Sequence, residues 1–533
     1  MVCSCYRLWP SIFSAVLASA TRPAEASAIR PSILFLMPDQ WRFDWDSFGR
    51  AHEEAVDLRL PNLRRLAAEG TRFEHAYVQA VVCAPSRSCM ASMRDYDDAG
   101  TATNGANDYD VAIPTYFSLL RAGGYHTMTT GKDDLTKLSQ LGYHLNHSTR
   151  NASDTYHMRE LGFSDGIRYS GKLDVISSYP EPHEAYGYML NATTVALANG
   201  STVNAFAAHA ACLRGDAATC ADAAAFPAGL YEDDWTARNA VALLDRAPAG
   251  APFFLWVSFP GPHNPFAVPE AYRVDRGDYP DAVDEPGPPR PHCGASNGPG
   301  LNRTRCDYAA ELERLDEHFG AVVAAAERNA PGELVVCLFS DHGEMLDDHG
   351  GTDKSKPWQG AVSVPLVCSG GAVARNRTIA APAAIIDLGA TALDWAGVAA
   401  PPGATAASMR GLLEGAPEAA RNRTVVHSGL RSSSFPESDR RLDEVETDAF
   451  DFRLAVASFA EGTFKFVCCA GACPYAPSTV SPPDADGYTR LLFDTVADPY
   501  DMRDVKAAFP AVAEALRKTL PVRHGFDCAA VKF

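Results

Sequence analysis

Past residue 30 the sequence has no uncharged apolar run long enough to span a bilayer, which argues against an integral membrane protein. Positive charge is also in short supply: 47 Lys and Arg stand against 66 Asp and Glu, a formal net charge of −19. Nucleic acid is therefore a poor main partner, because phosphate binding needs an excess of cations. A small anionic substrate stays open, since a few convergent cations make a positive pocket in an acidic protein. No internal repeat is present. What remains is a globular composition, 46% hydrophobic and 21% charged, over 533 residues. That length predicts two or three domains and a large core.

Residues 1–28 read as a signal peptide. Arg7 supplies the positive charge, residues 8–18 are mostly apolar, and small residues follow at Ala18-Ser19-Ala20 and Ala26-Ser27-Ala28. Sequons for N-glycosylation at Asn146, Asn151, Asn191, Asn199, Asn302, Asn376 and Asn422 point the same way. Together they predict a glycoprotein of the secretory pathway, either secreted or held in a lysosome- or vacuole-like compartment.

Cysteine use fits an oxidising compartment in part. Cys212 with Cys220, and Cys293 with Cys306, lie in polar or Gly/Pro-rich segments suited to short disulfide loops. Cys337 and Cys368 sit in apolar strand-like runs and read as buried small hydrophobes. Cys468, Cys469, Cys473 and Cys528 lack well-spaced partners for zinc and read as disulfides of undetermined pairing.

Residues 33–37, Ile-Leu-Phe-Leu-Met, suit a central strand buried on both faces. Helices are predicted over residues 61–69, opened by Pro61, and 114–122, stopped at Gly123-Gly124. Residues 126–130, 253–259 and 334–340 read as strands, and 308–328 as a long helix. This alternation predicts an α/β fold, a mostly parallel sheet sandwiched by helices, over residues 31–425. Residues 139–235 look like an irregular insertion. A hairpin about Glu461-Gly462, a strand at 491–493 and a helix at 505–520 predict a smaller C-terminal α+β domain over residues 450–533.

In parallel α/β folds chemistry collects where loops leave the carboxyl ends of the strands. Cys83-Ala84-Pro85-Ser86-Arg87 places a cysteine before a helix that Pro85 is suited to open. Unpaired amides there favour a negative charge, a thiolate or a bound oxyanion, and Arg87 falls one turn away. Asp341-His342, after a strand, are metal-ligand types, as is Asp39 after the first strand; Gln40 beside it offers a neutral oxygen. Lys132 and His263 follow further strands, and Lys354 lies in the loop after Asp348-His349-Gly350. Each alone reads as a surface or turn residue, but with Arg87 they make a pocket for a tetrahedral anion. His263 is the candidate proton donor to a leaving group.

These residues resemble the type I sulfatases, which share the alkaline-phosphatase-like α/β fold. Cys83-Ala-Pro-Ser-Arg87 matches that family's Cys-x-Pro-Ser-Arg modification signature, and Pro61-Asn62-Leu63 its Pro-Asn-Leu helix. Gly131-Lys132, Pro262-His263-x-Pro265-Phe266, Ser340-Asp-His-Gly343 and Val364-Pro365-Leu366 follow in family order. Leu491-Leu-Phe-Asp494 with Asp498-Pro499 is similar to its C-terminal pattern. The resemblance implies that a formylglycine-generating enzyme oxidises Cys83 to formylglycine, whose hydrate attacks sulfur and later expels sulfate. It further implies a divalent metal, calcium by its oxygen-rich ligands, on Asp39, Cys83, Asp341 and His342, with Gln40 added by its position. Arg87 would stabilise the hydrate, Lys132 and Lys354 would hold sulfate, and His263 would serve the leaving group. The substrate would be a small-molecule or glycan sulfate ester.

The chain departs from the family at three places. Gln40 stands where many members have a second aspartate, Asp134 where many have a histidine, and Trp358-Gln359 where Tyr-Glu is usual. Gly-Lys-x-Asp together with Asp-His is similar to the arylsulfatase K branch, although Asp134 also reads as a solvated loop charge. Two alternatives stay open: a phosphodiesterase or phosphonate monoester hydrolase on the same scaffold, and an inactive glycoprotein that binds sulfated glycans.

Overall fold

In the computed structural model the described residues are 30–48, 58–104, 107–136, 158–176, 179–182, 184–196, 200–213, 226–266, 301–431, 451–474 and 483–528. Every residue of the first strand, β1 (Ser32–Pro38), is buried. Side chains alternate across a strand, so Ile33, Phe35 and Met37 enter one core and Leu34 and Leu36 a second core on the other face. Neither face of β1 meets water, which is why its run carries no charge. Burying each large side chain contributes roughly 1.5–3 kcal/mol.

The remaining strands of the main sheet follow in chain order: β2 (Gly70–Tyr77), β3 (His126–Lys132) and β4 (Asp165–Tyr169). After a separate hairpin of β5 (Thr194–Ala196) and β6 (Thr202–Asn204) come β7 (Phe253–Phe259), β8 (Leu334–Phe339) and β9 (Ser363–Gly370). β10 (Arg377–Ile379) and β11 (Ala383–Ala384) complete it. The spatial order is β10-β2-β9-β8-β1-β7-β3-β4, with β11 also paired to β2. β1 runs parallel to β7 and β8, and β3 parallel to β7 and β4, while β9 is antiparallel to both β2 and β8. The carboxyl ends of β1, β2, β3, β7 and β8 therefore share one edge with the amino end of β9.

Helices cover both faces. α1 (Pro61–Ala68), α4 (Glu232–Asp245) and α5 (Leu301–Asn329) send Leu63, Leu243 and Leu315 into the core holding Leu34 and Leu36. α2 (Cys83–Ser92), α3 (Tyr116–Ala122) and α6 (Asp387–Ala396) send Cys89, Phe117 and Leu393 into the other. A second sheet, wholly antiparallel, runs β12 (Val426–Arg431), β13 (Asp451–Phe459), β14 (Gly462–Ala470) and β15 (Tyr488–Asp494). One face carries α7 (Pro510–Arg517), through Val512 and Leu516. The other joins the main core through Val426, Leu454, Val467 and Leu491.

Several expectations need correction. Cys337 and Cys368 are not free: they form a disulfide that ties β8 to β9 at a directly paired position. The late cysteines pair as Cys468–Cys528 and Cys469–Cys473. Cys306 is disulfide-bonded, whereas Cys220 and Cys293 lie outside the described residues, as do residues 1–29. The stretch read as irregular contains β4, which is the edge of the main sheet, and its own core of Val175, Tyr186, Phe206 and Trp235. The last helix starts at Pro510 rather than 505, because the α region is disfavoured for the residue before a proline, and Phe509 sits at φ −128°, ψ 57°. The apolar strand-like run around Cys368 is β9, although it contains Pro365. Its missing N–H is tolerated at the bulge where pairing with β2 shifts between Phe73 and Ala76.

Candidate active site

Helix α2 begins at Cys83, with Val82 in extended conformation as its N-cap (φ −145°, ψ 144°). Cys83 is thus the first helical residue and Pro85 the third, so the helix starts two residues earlier than Pro85 suggested. The Ala84 N–H, an unpaired first-turn donor, goes to Asn104 Oδ1 at 2.9 Å. Ser86 Oγ donates to Asp341 O at 2.6 Å, fixing the helix to the loop after β8. Burial, then Asp39, pushes the Cys83 thiol up to about 12, so the helix start does not make it a thiolate.

One turn on, Arg87 is fully buried. A buried guanidinium is tolerated only when paired, and here Nε lies 2.9 Å from Asp341 Oδ2 and Nη2 3.2 Å from Asp39 Oδ2. Nη1 donates to Ser258 Oγ at 2.8 Å and to Lys132 O. Lys132 Nζ stands 2.5 Å from Asp39 Oδ2, 3.2 Å from Asp134 Oδ2 and 3.5 Å from Cys83 Sγ. Burial alone would raise the Asp39 carboxyl; Lys132 first, with Arg87, outweighs it and holds it well below the usual range. Asp134 is 2% exposed and is no solvated loop charge. With Asp39 it holds Lys132 protonated despite burial.

His342 Nδ1 faces Gly343 O at 3.0 Å, and a carbonyl only accepts, so the neutral ring carries its proton there. The Nε2 lone pair then faces Cys83 Sγ at 3.1 Å and Asp39 Oδ1 at 3.4 Å. Ligand atoms of Asp39, Cys83, Asp341 and His342 all lie within 4.8 Å of one another. Two ionisable carboxylates and an inward imidazole lone pair, fixed through its other nitrogen, fit a divalent cation. Gln40 does not join them. Its Nε2 donates to Asp353 Oδ1 at 3.0 Å and to Glu344, and its Oε1 accepts from Lys354 Nζ at 3.0 Å. What Gln40 gives the cluster is its backbone N–H, 3.1 Å from Asp341 Oδ1.

Lys354 and His263 meet above this floor, Nζ to Nε2 at 2.5 Å. His263 Nδ1 donates to Asn264 O at 2.6 Å, which leaves Nε2 as the acceptor from Lys354. Gln40, Asp134, Asp353 and Ser355 have φ of 73°, 53°, 65° and 68°. In residues with a Cβ such conformations cost roughly 1–2 kcal/mol each, and their gathering here marks a site held in place by its surroundings.

A cavity of about 30 Å³ opens onto Cys83, Lys132, His263 and Lys354, room for about two waters. All the predicted site residues except Gln40 either line it or form the charged floor beneath it. Sequence reasoning missed Asn104 and the wall Gly171-Lys172-Leu173-Asp174. The strand-end rule would have found Lys172, because it follows β4, but β4 itself went unread. Gly171, at φ +131°, has no Cβ where one would meet Asp174 and the Lys132 stem.

Three comparisons bear on this site. The model of the sulfatase family, "Sulfatase", matches residues 31–398. The chain is 24% identical over 411 residues to an arylsulfatase of Clostridium perfringens, covering 72% of this chain and 79% of the relative. It is 24% identical over 504 residues to arylsulfatase K of Danio rerio, covering 92% and 83%. In fold it is similar to the phosphonate monoester hydrolase SpPMH of Silicibacter pomeroyi, with a TM-score of 0.62 at 20% identity over 92% of this chain and 93% of that one.

Proposed function

Since the chain belongs to the sulfatase family and is thereby a sulfuric ester hydrolase, we propose that it removes sulfate from a sulfated carbohydrate or aryl ester at the pocket over Cys83. The observation that carries this reading is the convergence of Asp39, Cys83, Asp341 and His342 within 4.8 Å, with Lys132 Nζ 3.5 Å from Cys83 Sγ. In this reading a formylglycine-generating enzyme converts Cys83 to formylglycine during maturation. Asp39, Asp341, His342 and the converted residue 83 hold a divalent cation, calcium by the oxygen-rich donors. Together these two groups supply a nucleophilic oxygen at residue 83 and the positive charge that acidifies it.

The chain's own residues supply the rest. Lys132 and Lys354 bring ammonium groups to the pocket and bind sulfate oxygens, as charge-assisted hydrogen bonds do best away from water. Arg87 holds both carboxylates of the floor while α2 turns its positive end toward the anion. Because His263 Nε2 accepts from Lys354, a proton given to the leaving alcohol through that nitrogen passes from the lysine side. Similarity to arylsulfatase K over 92% of the chain supports a place near that branch.

Passage through the secretory pathway is part of the same proposal. Asn191, Asn376 and Asn422 are exposed, as acceptors of glycans must be. No helix among the described residues is long and apolar enough to cross a membrane.

Rates on matched aryl sulfate, phosphate and phosphonate esters test the reading. A site tuned to a singly charged sulfate releases sulfate faster by about 10²-fold or more. Preference for the phosphonate or phosphate ester would move the related hydrolases ahead, and sulfate binding without turnover would favour a binding protein.

A further inference from the structure

The loop between β8 and β9 presents Lys354 on a backbone that side chains disfavour. Leu346, Asp347, His349, Asp353 and Ser355 have φ between 46° and 73°, the left-handed region that residues with a Cβ avoid. Such a stretch persists only where neighbours over-determine it. Its first half, apart from His349 Nε2 at 2.7 Å from Tyr500 O, is held by the main domain. Glu344 Oε1 accepts from Leu346 N at 2.9 Å and Asp353 N at 2.5 Å, and Ser355 N donates to Val81 O at 3.0 Å.

Its second half is held from the C-terminal sheet. Lys465 on β14 and Asp501 beyond β15 form an ion pair, both side chains fully buried. Lys465 Nζ also donates to Pro357 O at 2.9 Å, and Asp501 Oδ2 accepts from Gln359 N at 2.8 Å. Between those two points Trp358 Nε1 donates to Pro474 O at 2.9 Å, and its ring meets Phe493 edge-on. Burying two charges completely is costly, and an apolar pair of the same size would usually serve stability as well. Neither residue lines the pocket. What both hold is the backbone three and five residues past Lys354.

We propose that Lys465 and Asp501 are positioning residues for Lys354. The C-terminal sheet fixes the backbone at residues 357 and 359, and through it sets the ammonium group between Gln40 Oε1 and His263 Nε2. The assignment rests on the reading of Lys354 as a sulfate-binding group. It gives the second sheet a part in the reaction that its distance from the pocket conceals.

The test is a cycle of Lys354→Ala, the charge-neutral double variant Lys465→Met/Asp501→Asn, and all three changes together, in the full-length protein. kcat/KM is read on an aryl sulfate, and hydrogen exchange on the amides of residues 355, 356, 358 and 359. The double variant is expected to lose about tenfold in kcat/KM when Lys354 is present and less than about twofold when it is alanine, since coupled residues are not additive. The loop amides are expected to exchange at least about tenfold faster while the strands of the main sheet keep their protection. Equal losses in both backgrounds, or unchanged loop exchange, would overturn the proposal. If the double variant does not fold, Lys465→Arg, which keeps the charge but displaces the donors, gives the same comparison. A parent protein inactive on every sulfate ester would count against the sulfatase reading instead, and loop exchange would still decide whether the pair holds residues 357 and 359.

Discussion

The floor of the pocket and its walls are built by different means. Asp39, Cys83, Arg87, Asp341 and His342 are all 0–1% exposed, and they stand on β-strand ends and the first turns of one helix. The walls are loops: Lys354 after β8, His263 after β7, and residues 171–174 after β4. Each wall depends on partners far away in sequence, as Lys172 does on Glu311 Oε1 at 3.0 Å and Lys354 on Gln40 Oε1 at 3.0 Å. A floor tied to the sheet keeps the chemistry fixed, while walls on loops leave room for substrate choice to change without disturbing it.

Breaking the floor should have the largest effect. Arg87→Met leaves buried Asp341 without its cation and Asp39 with Lys132 alone, a loss of roughly 3–5 kcal/mol for a broken buried pair. Activity should fall beneath detection and the denaturation midpoint should drop with it; retention of either would mean that Arg87 is not what holds Asp39 and Asp341. A wall residue should separate the two readouts. Lys354→Ala is expected to reduce kcat/KM by about 10²-fold with stability changed by less than about 1 kcal/mol, measured by aryl sulfate kinetics and urea melts side by side.

A third prediction turns on pH. Glu184 accepts from Ser170 N at 2.9 Å, behind the Gly171 wall, and burial pushes its carboxyl up to about 8. A folded value above the unfolded one, about 4.3, contributes stability that is fully present at pH below the unfolded value and is lost as pH rises through about 8. Glu184→Gln should therefore be more stable than the parent at pH 8 and equal to it near pH 4. The same difference at both values would show that Glu184 is ionised in the fold.

The same division decided what could be read from the sequence. Floor residues come in short contiguous motifs at the ends of apolar strands, so Asp39, Cys83-Arg87 and Asp341-His342 were visible together with the parallel sheet. The walls were half visible. Lys354 and His263 were found by order along the chain, but Lys172 and Asn104 act through contacts with no local signature, and the fixing of residue 357 by Lys465 spans 108 positions. Gln40 was added for its position beside Asp39, and adjacency says nothing about side-chain direction: its amide meets Asp353 and Lys354. The Cys337–Cys368 bridge was missed for a similar reason: β9 is antiparallel to β8, and only that pairing brings the two sulfurs together.

The most direct test of the central claim is the mass of the tryptic peptide of residues 73–87, from protein made in a eukaryotic secretory host. The proposed chemistry predicts an aldehyde in place of the thiol at Cys83, reactive toward a hydrazide probe. An unmodified thiol, in a host that converts other sulfatases, would contradict it and leave the floor without its nucleophile.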